Sequence, residues 1–260
     1  MNRNNQVIIL LKKEWTEALR EYKLIWLPLV FITIGILQPV TMKLLPLMIG
    51  ETSGLILDPN APIPSGNEIF SGVFGQLNQL GIMMIALTLM GCIVKEEKSG
   101  ILDILFSKPI STGQYLASKY MSSMALLWLS CFVGSWAGVY YTNIYYSPVD
   151  TVLYLQAMLL YSFWFLFLIS LGVTASAIAT TQIQAAGLTV LIPAILLILA
   201  NIPDPRLAVL LPSGLSQKAV ITVTAGALPV HWYWNVFVTI VLTAGLWMLA
   251  YWRMRYKRRG

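Results

Sequence analysis

The chain has 260 residues, of which 57% are hydrophobic and only 11% charged, and its mean hydropathy is +0.72. Soluble domains carry about 25% charged residues, so this composition excludes an ordinary soluble protein and predicts an all-α, polytopic membrane protein. The formal net charge of +6 does not require a nucleic acid as partner, because a basic tail such as RMRYKRRG is typical of an anchor on anionic lipid.

Residues 1–23 predict an amphipathic helix. Apolar residues recur at helical spacing on one side, and polar residues fall on the other. The apolar positions are Ile8, Leu11, Trp15, Ala18, Leu19 and Tyr22, and the polar ones are Lys13, Thr16, Glu17 and Arg20. Such a helix lies in the membrane interface. It is either a simple anchor for the first span or an elbow helix that also supports a docking surface, with Leu11, Trp15, Leu19 and Tyr22 as its candidate contacts.

Six apolar stretches are long enough to cross a bilayer as helices, which takes about 18 or more apolar residues. They lie at 24–43, 77–94, 119–141, 153–180, 185–202 and 233–252. With the N-terminus inside, all but three of the 17 basic residues (Lys43, Arg206 and Lys218) fall on one side. The positive-inside bias therefore predicts both termini in the cytoplasm, and we expect a multi-pass protein of a bacterial cell (plasma) membrane.

Between the first two spans, residues 44–76 are rich in proline and glycine and are predicted to form an extracytoplasmic loop. A second extracytoplasmic segment is predicted over residues 203–232. It contains the apolar stretch KAVITVTAGALPV, which is too short to cross the bilayer and return. We therefore expect a re-entrant or interfacial piece there.

The segment between spans two and three, residues 95–118, is predicted to be a cytoplasmic loop with an apolar helical patch. Gly100 frees the chain, and Ile101, Ile104 and Leu105 then share one helical face, flanked by Leu102 and Phe106. Pro109 ends this short helix, and Ser111 with Gln114 predicts a capping box that starts the next one. The apolar face either packs on the ends of neighbouring spans or inserts into a soluble partner.

Small residues repeat at four-residue spacing in two spans. Gly134 and Gly138 form a G-x-x-x-G pattern in span three, and Gly172, Ser176 and Thr180 repeat in span four. Such residues let helix backbones approach closely. We interpret both patterns as packing sites within one subunit.

Several chemistries are not expected of this chain. Within the six predicted spans, no Asp, Glu, Lys, Arg or His lies away from the ends, which disfavours proton coupling. The sequence contains no G-x-x-x-x-G-K-[ST] motif for nucleotide binding. A single histidine, His231, and two separated cysteines do not make a zinc site. We predict neither a catalytic nor a metal site, and no enzymatic activity.

The run EEKSGILDILFSKPISTGQYLASK resembles the first cytoplasmic loop of ABC-2 type transporter permeases. In that family a Glu-rich span end, a glycine, an apolar-acidic helix and a P-[IV]-[ST] turn precede Tyr and Lys in this order. The likeness covers the whole chain and is strongest to the NosY-like and bacillar YxlG-like permeases, which share a KEW…KLIWLP start and a Pro-rich first external loop.

The resemblance implies one ABC-2 type transmembrane domain over residues 1–260. It would pair with a second permease copy or paralogue, through spans one and five, and with two cytoplasmic ATPase subunits. ATP and Mg would be bound by those ATPases, so this chain would hold no cofactor. The helix at 101–107 would be the coupling helix, and the turn TTQIQAA a second contact. The residues assigned to ATPase coupling are Glu96, Glu97, Gly100, Ile101, Leu102, Asp103, Ile104, Leu105, Phe106, Pro109 and Gln182.

The function implied by this resemblance is the membrane-spanning permease subunit of an ATP-binding cassette transporter, exporting a hydrophobic, amphipathic or peptide-like substrate. Two alternatives stay open. A non-transporting membrane regulator that binds a cytoplasmic factor would act without ATP hydrolysis. An ion-coupled secondary carrier would depend on an ion gradient.

Overall fold

The structure is a computed structural model that describes residues 3–53, 64–108, 110–202 and 209–257, and within these ranges it is helical without strands. The helices are α1 Arg3–Arg20, α2 Lys23–Ser53, α3 Gly66–Gln76, a π-helical turn Leu77–Gly81, α4 Ile82–Leu89, α5 Val94–Lys98, α6 Ile101–Phe106, α7 Thr112–Tyr145, α8 Thr151–Ile178, α9 Gln182–Ala200, α10 Gly214–Ala225 and α11 Trp232–Lys257.

Six helical segments are long and apolar enough to span a membrane, which confirms the predicted number. They are Lys23–Leu45, Gly66–Lys98, Thr112–Tyr145, Thr151–Ile178, Gln182–Ala200 and Trp232–Lys257. The second span is composite, because α3, the π-helical turn, α4 and α5 follow one another along it.

The predicted boundaries of the first external loop were wrong. Helices occupy both ends of residues 44–76, because α2 continues to Ser53 and α3 begins at Gly66. Ser65 starts α3 with a capping box: its hydroxyl accepts from the Glu68 N–H at 3.3 Å, and its own N–H donates to the Glu68 carboxylate at 2.8 Å. The prediction began span two at its longest apolar run and missed this earlier start. Residues 54–63 lie outside the described part.

The segment predicted as a cytoplasmic loop, 95–118, is also mostly helical. It contains the end of α5, all of α6 and the start of α7. The capping box predicted from Ser111 and Gln114 is present at the start of α7, where each residue binds the backbone N–H of the other. This boundary was therefore predicted correctly.

Close backbone packing joins α2 to α7. A Cβ added at Gly35 would lie 2.0 Å from the carbonyl oxygen of Gly134, and one added at Gly138 would lie 3.0 Å from the carbonyl oxygen of Gly35. Only glycine permits this approach. The G-x-x-x-G pattern of span three is therefore a packing site within the subunit, as predicted.

Two residues of the second small-residue pattern have the same role in α8, whereas Thr180 lies beyond the helix end at Ile178 and contacts Gln184. A Cβ at Gly172 would lie 2.7 Å from the Leu89 side chain. The Ser176 hydroxyl accepts from the backbone N–H groups of Ile93 and Val94 at 2.9 and 3.3 Å, and so holds the end of span two. α8 packs against α4, α7, α9, α10 and α11, and it forms the centre of the bundle.

The segment predicted to be re-entrant or interfacial contains α10, which has 12 residues. At about 1.5 Å per residue it is about 18 Å long, too short for a hydrocarbon core of about 30 Å. α10 packs against α8 and α3, and its Leu215, Ala219 and Val223 side chains are buried. It is thus a half-length helix that packs on protein along one side, while Ile221 and Thr224 are exposed.

Ion pairs bring α1, α5 and the last turn of α11 to one end of the bundle. Glu21 contacts Lys95 at 2.7 Å, and Glu97 contacts Lys257 at 2.6 Å. α6 follows α5 directly and lies at this same end. We call it the terminal end, because both described chain termini approach it.

Candidate functional site: the terminal end of the bundle

The helix α6 lies between two sharp changes of chain direction. Gly100 has a φ of 70°, in the left-handed region that favours glycine, and it allows α6 to leave the axis of α5. After Phe106 the chain turns again before the capping box at Ser111. Pro109, predicted to end α6, lies outside the described residues. The geometry presents a six-residue helix across the end of the bundle.

One side of α6 is fixed to the bundle and the other is open. Leu102 is buried in the main apolar core, and Phe106 contacts the Tyr115 ring edge-on at a centroid distance of 5.8 Å. Ile104 is 66% exposed and Ile101 is 41% exposed. Leu105 is half-buried, so the single face predicted for 101, 104 and 105 is only partly open.

Asp103 is exposed beside Ile104 on the open side of α6. The exposed surface of this helix therefore combines two branched apolar side chains with one acid. Leu102, by contrast, supports the fold, and a charge placed there would disrupt packing rather than test a docking surface.

Glu96 is buried and is the centre of an ion-pair network. Its carboxylate accepts hydrogen bonds from the Tyr115 hydroxyl at 2.6 Å and from the Lys119 ammonium at 2.8 Å, and it forms an ion pair with Lys13. Lys119 is buried too, and it contacts Glu14 at 2.9 Å. The network joins α1, α5 and the start of α7.

Sequence reasoning missed the extent of this network. It treated Lys119 as one of many cytoplasmic positive charges, and it did not identify Glu14. The sequence did contain a signal: Lys119 lies eight positions after Ser111, where the helix of span three begins. It is therefore inside that helix, and an ammonium group there needs an acidic partner.

Glu97 has a different partner. It binds Lys257, whose ammonium also donates to the Ala177 carbonyl at 3.3 Å. The end of α11 is thereby fixed beside α6. Between them lies a groove of about 440 Å³ lined by Glu97, Leu102, Asp103, Phe106, Ser107, Met254 and Lys257.

The predicted second contact, TTQIQAA, contains the first turn of α9 and is also at the terminal end. The Thr181 hydroxyl accepts from the Gln184 N–H at 3.2 Å and caps α9. Gln182 is half-buried, and its amide faces Gly91 of span two. The exposed large apolar side chain of TTQIQAA is Ile183, which is 84% exposed; the prediction included it in this stretch but named only Gln182 as a coupling residue.

The helix α1 has exposed apolar side chains on its outer side. Leu10 and most of Glu14 are buried against the bundle, and Leu11 is half-buried. Trp15, Leu19 and Tyr22 are exposed. This arrangement fits a helix in a membrane interface, where lipid covers the outer apolar residues.

The turn between α1 and α2 carries a strongly paired acid. Burial alone would raise the pKa of Glu21, but contacts with Lys23 at 2.6 Å and Lys95 at 2.7 Å outweigh it and lower this pKa to about 2. Glu21 therefore stays ionised at physiological pH and ties α1 to the end of span two.

One group of acids has the spacing of a metal site. Carboxylate oxygens of Glu14, Glu17 and Glu96 lie within 4.8 Å of one another. Lys13 and Lys119 already pair with these acids. The protein's own ammonium groups therefore supply the cations of this cluster.

A buried lysine lies away from the terminal end. Lys218 of α10, placed in an external segment by the sequence analysis, is 8% exposed. Its ammonium binds the Asn235 side-chain oxygen and donates to the His231 carbonyl at 3.2 Å. The His231 ring lies 3.3 Å from the Tyr233 hydroxyl. Lys218 thus joins α10 to the start of α11.

Comparisons with known proteins cover nearly the whole chain. A family model described as "ABC-2 family transporter protein" matches residues 8–259. The protein named "Uncharacterized transmembrane protein YxlG", from Bacillus subtilis (strain 168), is 25% identical over 252 residues, which are 96% of this chain and 97% of that protein. The matched region includes α6 and the ion-pair network around Glu96.

Proposed function

This chain belongs to the ABC-2 family of transporter proteins, and from that premise we propose that it is a permease subunit driven by separate ATPase subunits through α6. Permeases of this family generally work with ATPase subunits. The ATPases would bind ATP and Mg, and a second permease copy or paralogue would complete the transporter.

The observation that carries this proposal is the asymmetric burial of α6. Leu102 fixes the helix in the core, while Ile101 and Ile104 are exposed beside Asp103. Covering a few hundred Å² of apolar surface would contribute several kcal/mol, at about 25 cal/mol per Å². A helix held by the bundle on one side and open on the other is suited to insertion into a partner's cleft.

The connections of α6 also suit the transmission of a movement. Its N-terminal turn leads into α5 at the end of span two, and its C-terminal turn leads into α7. Glu96 links both of these elements to α1 through Lys119 and Lys13. A displacement of α6 by an ATPase would therefore act on spans two and three and on the interfacial helix together.

The charge distribution supports placing the ATPases at this end. The terminal end carries most of the basic residues, and the positive-inside bias assigns such an end to the cytoplasm. The spans are apolar, which favours a hydrophobic, amphipathic or peptide-like substrate. Export is the direction we propose.

The test is purification of the tagged chain from its native host in mild detergent, with mass spectrometry of co-purifying proteins. We expect a P-loop ATPase with the unmodified chain, and its loss with Ile104→Asp. Ile183→Asp should weaken co-purification less, because that turn offers only one apolar side chain. Val230→Asp is the matched control, since Val230 is 77% exposed and lies beside His231 at the opposite end.

Two results would contradict the proposal. One is a folded, monodisperse chain that brings down no ATPase. The other is an ATPase that is retained equally by Ile104→Asp and Val230→Asp. A partner without a P-loop would favour the regulator alternative instead.

A further inference from the structure

We propose that the cavity between α1 and the ends of spans two, three and five binds the headgroup of a zwitterionic aminophospholipid. The cavity has a volume of about 280 Å³, close to the lower limit of about 300 Å³ for ligand pockets. It lies beside α1, whose exposed apolar side fits a membrane interface. This site goes beyond the permease function and does not depend on an ATPase.

The polar wall of the cavity contains charges of both signs. Glu14 and Glu17 line it from one face of α1, and Glu21 lines it from the turn that follows. Lys23, Lys95 and Lys119 line it from spans one, two and three, and Lys23 pairs with Glu21 at 2.6 Å. A ligand with one charge would meet repulsion from half of this wall, whereas a zwitterion can complement both halves.

Two of these charges are available to a ligand. Glu17 has one ion pair, with Lys13 at 3.7 Å, and its side chain is 35% exposed. Lys95 has an exposed fraction of 60%, and among the described residues its ion pair is with Glu21, at 2.7 Å. By contrast, Glu14 and Lys119 are deeply buried and bind each other at 2.9 Å. The proposed contacts are therefore the lipid ammonium with Glu17 and the lipid phosphate with Lys95.

The other wall of the cavity is apolar and continues along the membrane surface. Leu87 lines the cavity and is 55% exposed. Met83, four residues earlier on the same face of α4, is 52% exposed, and Leu80, in the preceding π-helical turn, is 37% exposed. Together they form an apolar track on the outside of span two. A lipid whose headgroup occupies the cavity could thus extend an acyl chain along this track into the bilayer.

The experiment uses the full chain in detergent, titrated with phosphatidylethanolamine or phosphatidylglycerol and analysed by native mass spectrometry. We expect one molecule of phosphatidylethanolamine to bind at a saturable site. Phosphatidylglycerol should bind to this site more weakly. Glu17→Gln should weaken phosphatidylethanolamine binding about tenfold, the scale of one charge-assisted hydrogen bond. Lys12→Gln is the control on the same helix, because Lys12 is exposed and does not line the cavity.

A second variant tests the cavity itself. Ser123 lines it from span three. Ser123→Phe should fill the cavity and abolish saturable lipid binding. Met121→Phe, on the exposed side of the same helix, should leave lipid binding unchanged. Glycerophosphoethanolamine, which lacks acyl chains, should bind much more weakly than the intact lipid. The proposal is overturned if both lipids bind equally, if Glu17→Gln behaves like Lys12→Gln, or if Ser123→Phe retains the bound lipid. These outcomes are independent of ATPase co-purification.

Discussion

Replacing Lys119 by methionine should strongly destabilise the protein. Lys119 is buried and contacts Glu14 at 2.9 Å and Glu96 at 2.8 Å. Removing one partner of a buried ion pair typically costs about 3–5 kcal/mol, because it leaves an uncompensated buried charge. Lys13 still pairs with both acids, so we expect the lower end of this range for Lys119→Met.

The magnitude can be checked by thermal unfolding in one detergent. For a chain of this size, each kcal/mol shifts Tm by about 2–4 °C, so the loss of about 3 kcal/mol predicts a Tm lower by about 6–12 °C. The double variant Lys119→Met with Glu96→Gln should recover part of this loss, because it removes a buried acid that has lost one of its two ammonium partners. Lys12→Met, at an exposed position of α1, is the control.

Two outcomes would refute this reasoning. A Lys119→Met variant as stable as the Lys12→Met control would mean that the network contributes nothing to folding. Strictly additive losses in the double variant would mean that Lys119 and Glu96 are not energetically coupled.

Two further predictions concern packing and pH. Gly35→Ala should lower Tm by at least several degrees, because its Cβ would lie 2.0 Å from the Gly134 carbonyl oxygen and overpacking costs about 1–3 kcal/mol. In the control Gly245→Ala the added Cβ would meet no other helix within 4 Å, so Tm should stay unchanged or rise. Equal effects of the two substitutions would contradict the close packing of α2 on α7. The pKa of Glu21 falls from 4.5 to about 2 on folding, so its stabilisation is present above pH 4.5 and is lost as pH falls through about 2. The Tm difference between the unmodified chain and Glu21→Gln should therefore shrink over that window, and a constant difference would show that Glu21 does not titrate there.

Much of the fold could be predicted from the sequence because its signals are local. Long apolar runs gave the six spans, and the Ser111–Gln114 spacing gave the start of α7. The glycine spacing in span three predicted a packing surface, but it did not predict that α2 packs there. The start of α3 was missed because Ser65 and Glu68 precede the strongest apolar run, although they carry the same capping signal as Ser111 and Gln114.

The candidate site was only partly predictable. On a six-residue helix with apolar residues at 101, 102, 104, 105 and 106, periodicity cannot decide which side is buried, and the core selected Leu102. The pairing of Glu14, Glu96 and Lys119 depends on three elements that are far apart in sequence. No spacing within one helix could reveal it.

The contact between Gly35 and Gly134 has a mechanical consequence. The backbones of α2 and α7 touch where Gly35 meets Gly134, and neither glycine has a side chain whose rotamer could change and let one helix slide past the other. Spans one and three should therefore move as one rigid body. Any hinge in the bundle must lie elsewhere, between this pair and the helices gathered around α8.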